Sequence, residues 1–150
     1  MSETIHGSAH YTNGEERSDA EGRKQKFLYH AAGCTKGDFA RISYDSTIDG
    51  LCAVALADGA YYQRILVAAE TIAAADYGWF FVEGSGISAT LGTAGTATAT
   101  HALRVTDGAV STLGATIAFS DNEFGIVDTS FDNTTSITIT LLGRESLGQT

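Results

Sequence analysis

From Lys26 onward the chain is a succession of short apolar segments, and no stretch carries a sustained helical period. KFLYHA, DFARISY, LCAVALA, QRILVAAE, YGWFFVE, GISATL, THALRVT, FGIVDTSF and SITITLLG run to 6–8 residues each, bounded by Gly, Asp, Asn, Ser and Thr. That length and those boundaries are the pattern of strands and turns. A helix competes only in LVAAETIAAAD, residues 66–76. Its apolar residues are too continuous to define a face, and Thr71 and Ile72 are β-branched, so it reads as a strand followed by a turn. With 17 glycines and no proline, the turns rely on glycine. The expected fold is all-β, a small antiparallel β-barrel or sandwich over residues 26–150, preceded by an extended, flexible N-terminal arm over residues 1–25.

Some strands alternate, as a half-buried antiparallel strand requires. In SITITLLG, Ile137, Ile139 and Leu141 share one face. YGWFFVE does not alternate: Tyr77, Trp79 and Phe81 point one way and Phe80 and Val82 the other, so both faces are apolar. These five residues are expected in the core or at a subunit interface. In a small barrel only the inner face is buried, so the outer face must meet a flanking loop, the arm or another subunit. TLGTAGTATAT, residues 90–100, has little packing mass and reads as a loop, with a long glycine hairpin as the alternative.

The arm is polar and without period, and its removal is expected to leave the fold intact. It carries five acids and four bases up to Lys26, so nearly all of the net charge of −9 sits on the body. An acidic body lacks the main electrostatic term for phosphate backbones, so no nucleic-acid partner is expected. No apolar run approaches the ~20 residues that span a membrane, so no membrane partner is expected either. The first residues have neither a basic start nor an apolar core, so no secretory leader is expected. Cys34 and Cys52 lie in or beside apolar segments and read as core thiols, with a disulfide as the alternative.

Nucleophilic catalysis needs Ser or Cys set beside a base, and neither Gly-x-Ser-x-Gly nor a Cys motif next to His is present. EGSGIS reads as a turn between strands. His30 and His101 alternate with apolar residues, as strand histidines do. His6 and His10 have no further ligand nearby, and DNEFGIVDTSFDN, residues 121–133, does not have EF-hand spacing. No glycine run continues into Gly-Lys-Ser/Thr. The chain is therefore expected not to be an enzyme and to hold no metal and no cofactor.

The order of parts carries a resemblance. A polar arm leads to GDFARIS, then to AADYGWFFVEGSGISATL, THALRVTDGAV and FGIVDTSFDNTTSITITLLG. The chain resembles the small capsid decoration, or cement, proteins of tailed bacteriophages, in which a Tyr-Gly-Trp-like segment opens a strand before a glycine. The matching positions are Asp76, Tyr77, Gly78, Trp79, Val82 and Gly84, then Ala102, Leu103 and Val105, then Gly125, Ile126 and Ile137 to Leu142. Coverage runs from about residue 26 to 143, with Phe124-Gly125-Ile126 and a longer charged arm as departures.

The resemblance implies a structural virion protein, made in the host cytoplasm, that sits as a homotrimer on the outer surface of an icosahedral capsid and binds the major capsid protein. Arg17, Arg23, Lys24 and Lys26 are then the expected capsid-binding residues. The alternative is a glycan-binding or tail-associated host-recognition module in which Trp79 and Tyr77 stack on sugar rings, flanked by Asp76 and Glu83.

Overall fold

The computed structural model describes residues 3–6, 9–56, 63–106, 109–112, 123–143 and 145–146. Those residues form β-strands and turns and contain no helix. In chain order the strands are β1 (Glu3–His6), β2 (Ala9–Thr12), β3 (Glu16–Ser18), β4 (Lys24–His30), β5 (Phe39–Asp45), β6 (Gly50–Val54) and β7 (Gln63–Ala68). They continue as β8 (Asp76–Ala97), β9 (Ala102–Thr106), β10 (Ala109–Thr112), β11 (Gly125–Val127), β12 (Phe131–Leu141) and β13 (Glu145–Ser146).

Five strands close on themselves in the order β8, β4, β6, β5, β7 and back to β8. This is a small β-barrel, and every pairing in it is antiparallel except β4 with β6, which meet in parallel through Tyr29 and Cys52. Each of the five strands sends an alternate residue inward: Leu28, Ala40, Ala53, Leu66 and Ala68, and Phe80 and Val82. Alanines opposite Phe80 and Leu28 suit the narrow bore of such a barrel.

The far half of β8 leaves the barrel and pairs with β12, and β11, β9 and β10 continue that sheet. Between this sheet and the barrel wall lies a second core. Ile65, Val67 and Phe81 supply the barrel side, with Ile87, Leu91, Leu103, Phe124, Val127, Ile137, Ile139 and Leu141 against them. Strand β7 separates the two cores, which is why QRILVAAE is apolar on both faces, and YGWFFVE turns Phe80 and Val82 into the barrel and Phe81 into the second core.

YGWFFVE and GISATL, which read as separate strands, are one strand of 22 residues. It passes through Gly84 at φ +132 and Gly86 at φ +68. A Cβ on Gly84 would stand 2.9 Å from the Arg23 Cα, so glycine is what allows the chain ahead of β4 to cross there. The expected loop at 90–100 is also corrected, since β8 runs on to Ala97. Phe131 pairs with Ala97 and Thr134 with Gly95 across to β12, and Leu91 and Ala97 are buried. Partner hydrogen bonds, rather than side-chain bulk, make that strand.

The first 25 residues also differ from the expected arm. β1 and β2 form a two-stranded hairpin, and β3 is hydrogen-bonded to β4, with Arg17 opposite Gln25. Gly14 N–H donates to the Phe27 carbonyl at 2.6 Å, and Phe27 N–H donates to the Glu15 carbonyl at 2.8 Å.

Candidate functional site: the aromatic face of the long strand

The aromatic face is built from directly opposed residues of β4 and β8, Phe27 against Trp79 and Tyr29 against Tyr77. Phe27 stacks on Tyr77 with centroids 5.6 Å apart and leans on Trp79 at 5.2 Å. On a lone barrel this would be an exposed patch. Here the N-terminal hairpin lies over it. The Tyr11 ring meets Trp79 edge-on at 4.8 Å and Phe27 at 5.3 Å, and His6 meets Phe27 at 5.6 Å. Offset and edge contacts of this kind are the favoured aromatic geometries.

Three polar ties hold the cover. His6 Nε2 faces the Glu70 carboxylate. Asn13 Nδ2 donates to the Leu51 carbonyl at 2.8 Å, reaching across to β6 beside the sparsely paired β4–β6 seam. The Arg17 guanidinium sits 3.9 Å from the Trp79 ring centroid, and its Nε donates to Gln25 Oε1 at 2.8 Å. Trp79 is left 1% exposed, and its indole N–H has no partner among the described residues.

The structure places Phe80 and Val82 inside the barrel, Phe81 in the second core, Trp79 under the hairpin, and Tyr77 half-buried beside it. The outer face of the strand is covered by the chain's own elements, so its apolarity does not require a second subunit. Nor does Trp79 offer a stacking surface to a sugar while Tyr11 and Arg17 cover it.

The four bases expected to bind a capsid have partners within the chain. Besides the Arg17 contacts above, Arg23 Nε donates to Asp19 Oδ2 at 2.6 Å and Nη1 to the Gly86 carbonyl at 2.9 Å, with its guanidinium 4.9 Å from the Phe81 centroid. Lys24 reaches Glu83 at 3.1 Å and Lys26 reaches Glu16 at 3.3 Å. Exposed pairs of this kind contribute only about 0–1 kcal/mol, so the Lys24 side chain, 60% exposed, stays available to a partner.

Asp19 anchors the turn into β4. Burial works against its charge, but the Arg23 N–H and guanidinium and the Glu21 N–H outweigh that, holding the carboxyl below its ordinary 3.8. A depressed carboxyl stabilises the fold fully above its unfolded value and loses that contribution as pH falls through the folded one. The gap in urea midpoint between about pH 7 and about pH 3 is therefore expected to be narrower in Asp19→Asn than in the parent chain.

Gly78 of the Tyr-Gly-Trp segment has a packing reason. A Cβ there would lie 2.5 Å from the Ile72 side chain, which is buried at the barrel end. Gly78→Val is expected to lower stability by about 1–3 kcal/mol, read as a drop in the urea midpoint.

Cys34 and Cys52 are free thiols. Burial, then the Asp38 carboxylate, pushes the Cys34 thiol up to about 11, which keeps it protonated and weakly nucleophilic at neutral pH. Burial also lowers His30, with Asp38 pulling the other way. Asp128 accepts from the Gly86 N–H at 2.8 Å and the Thr140 hydroxyl at 2.5 Å, which ties the segment after β11 to β8 and β12. Asp121 and Asn122 lie outside the described residues. Among those described, no three His, Cys, Asp or Glu side chains cluster as metal ligands.

Sequence reasoning missed His6, Tyr11 and Asn13 as the cover of the aromatic face. The available signal was Asn13-Gly14, a turn dipeptide that directly follows the ring-bearing segment AHYT. Compared with family models, curated proteins and solved structures, the chain finds no match.

Proposed function

We propose that the chain is a structural protein of a tailed-phage virion that decorates and stabilises the outer surface of an icosahedral capsid. In this reading it binds the major capsid protein as a homotrimer and carries out no catalysis. The observation that supports it most is the placement of the residues that carry the resemblance. Asp76 to Gly84 form the strand that both cores share, and Ala102 to Val105, Gly125 to Ile126 and Ile137 to Leu142 lie in the sheet that grows from it. The matching residues thus lie on the shared strand and on the sheet that grows from it, and the aromatic segment acts by packing rather than by presenting rings to a ligand.

Three copies on one capsid site would multiply weak contacts through effective concentration, which suits an accessory protein bound by modest charge pairs. Lys24 has a side chain that is 60% exposed and tied only by a surface ion pair, and it is the first contact to test.

Co-sedimentation with expanded empty shells of the phage that encodes the chain tests the reading. Saturable pelleting, weakened in Lys24→Glu and by added salt, is expected, and light scattering should return three times the chain mass of 15.7 kDa. A chain that stays in the supernatant at micromolar concentration overturns the capsid assignment, and a monomer across that range overturns the trimer.

A further inference from the structure

The outer face of the β8–β12 pair carries a groove of about 400 Å³, on the side away from the second core. Its floor is a square of hydroxyls. Thr90 stands directly opposite Ser136, and Ser88 opposite Thr138. The residues between them, Ala89 and Ile137, turn the other way into the second core, so strand alternation fixes all four hydroxyls on the solvent side. Among the described residues none of the four hydroxyls is used in a hydrogen bond within the protein.

One wall is Lys36 and Gly37, fastened across β8 by Thr90 N–H to the Gly37 carbonyl at 2.9 Å and Gly37 N–H to the Ala68 carbonyl at 2.8 Å. A Cβ on Gly37 would lie 3.0 Å from the Thr90 hydroxyl, so glycine keeps that hydroxyl open to the groove. The other wall is the turn into β12, ending in the half-buried Phe131 ring. Among the described residues of the lining Lys36 is the one that is charged, in a chain of net charge −9.

A hydroxyl both donates and accepts, so a square of four matches a ligand that itself alternates donors and acceptors over a surface. A bare anion would require several cations or free N–H groups. A peptide strand would need a sheet edge, whereas this floor is a sheet face. A nucleic acid would need a basic field. The remaining match is a carbohydrate, with Phe131 flanking the C–H side of a ring and Lys36 meeting one carboxylate. The volume lies within the ~300–1,000 Å³ of small-ligand clefts.

We propose that this groove binds an acidic oligosaccharide, the hydroxyls of Ser88, Thr90, Ser136 and Thr138 engaging its ring hydroxyls and Lys36 its carboxylate. The proposal rests on the groove alone, so it stands or falls separately from the capsid assignment. On a virion surface such a site would retain particles on an acidic glycan coat.

Amide chemical-shift titrations of the intact chain with sialyllactose and an oligogalacturonate, against lactose and inorganic phosphate, test it. At least one of the acidic saccharides should shift residues 88, 90, 136 and 138 saturably, and lactose should bind about tenfold more weakly. Thr90→Val and Thr138→Val keep shape and strand preference and should each weaken binding several-fold, while Lys36→Gln should abolish the preference for acid. If either valine variant disturbs the fold, Ser88→Ala at an exposed position reads the same array. No groove shift with either acidic saccharide at about 10 mM would overturn the proposal. So would equal shifts from phosphate alone, or undiminished binding in the Thr90→Val, Thr138→Val double variant.

Discussion

Trp79→Ala is expected to lower folding stability by about 3–5 kcal/mol, the range for truncating a buried large aromatic. Trp79 is 1% exposed, with Phe27 beside it and Tyr11 and Arg17 over it, so the cavity would be enclosed and relax poorly. For a chain of this size each kcal/mol moves the melting temperature by about 2–4 °C, so a loss of roughly 10 °C follows. Trp79→Phe should cost much less, because the smaller ring keeps most contacts and removes an indole N–H that has no partner among the described residues. Both melts should be run at one protein concentration, since an oligomer melts by mass action. An unchanged melt for the alanine variant would mean that the ring is not enclosed as described.

Deleting residues 1–18 is expected to be comparably severe. The deletion removes the hairpin over Phe27 and Trp79, strand β3 from the edge of β4, and the Asn13 tie to β6. Re-exposing two aromatic rings costs on the order of 4 kcal/mol or more at about 25 cal/mol per Å² of apolar surface. The truncated chain should melt well below the parent, with Trp79 emission moved to the red. This replaces the expectation that the first 25 residues are dispensable for folding, and an unchanged melt and emission would restore it.

The body was legible because its strands are marked locally. SITITLLG alternates, and its isoleucines do point into a core, while YGWFFVE is apolar on both faces because Phe80 and Val82 fill the barrel and the other face meets the second core at Phe81 and the N-terminal hairpin at Trp79. The N-terminal segment was not legible, for a physical reason. Its strands are three or four residues long, and β3 is exposed throughout. Its contribution to packing comes from His6 and Tyr11, too few residues to make a period. The Gly-, Thr- and Ala-rich stretch at 90–97 was misread on the same principle: its strand character comes from pairing with β12, and pairing partners are not visible in local composition. The hydroxyl square of Ser88, Thr90, Ser136 and Thr138 depends on that same cross-strand register and could not be read from either strand alone.

Trp79 is the chain's single tryptophan, so its fluorescence reports on one place in the fold. The central claim is that the aromatic face is sealed by the chain's own N-terminal segment and serves packing. Emission spectra and acrylamide quenching, measured over a dilution series and with added saccharide, test it most directly. The structure predicts blue-shifted emission that acrylamide barely reaches, unchanged by dilution and by sugar. Emission that is readily quenched, or that shifts when sugar is added, would contradict it.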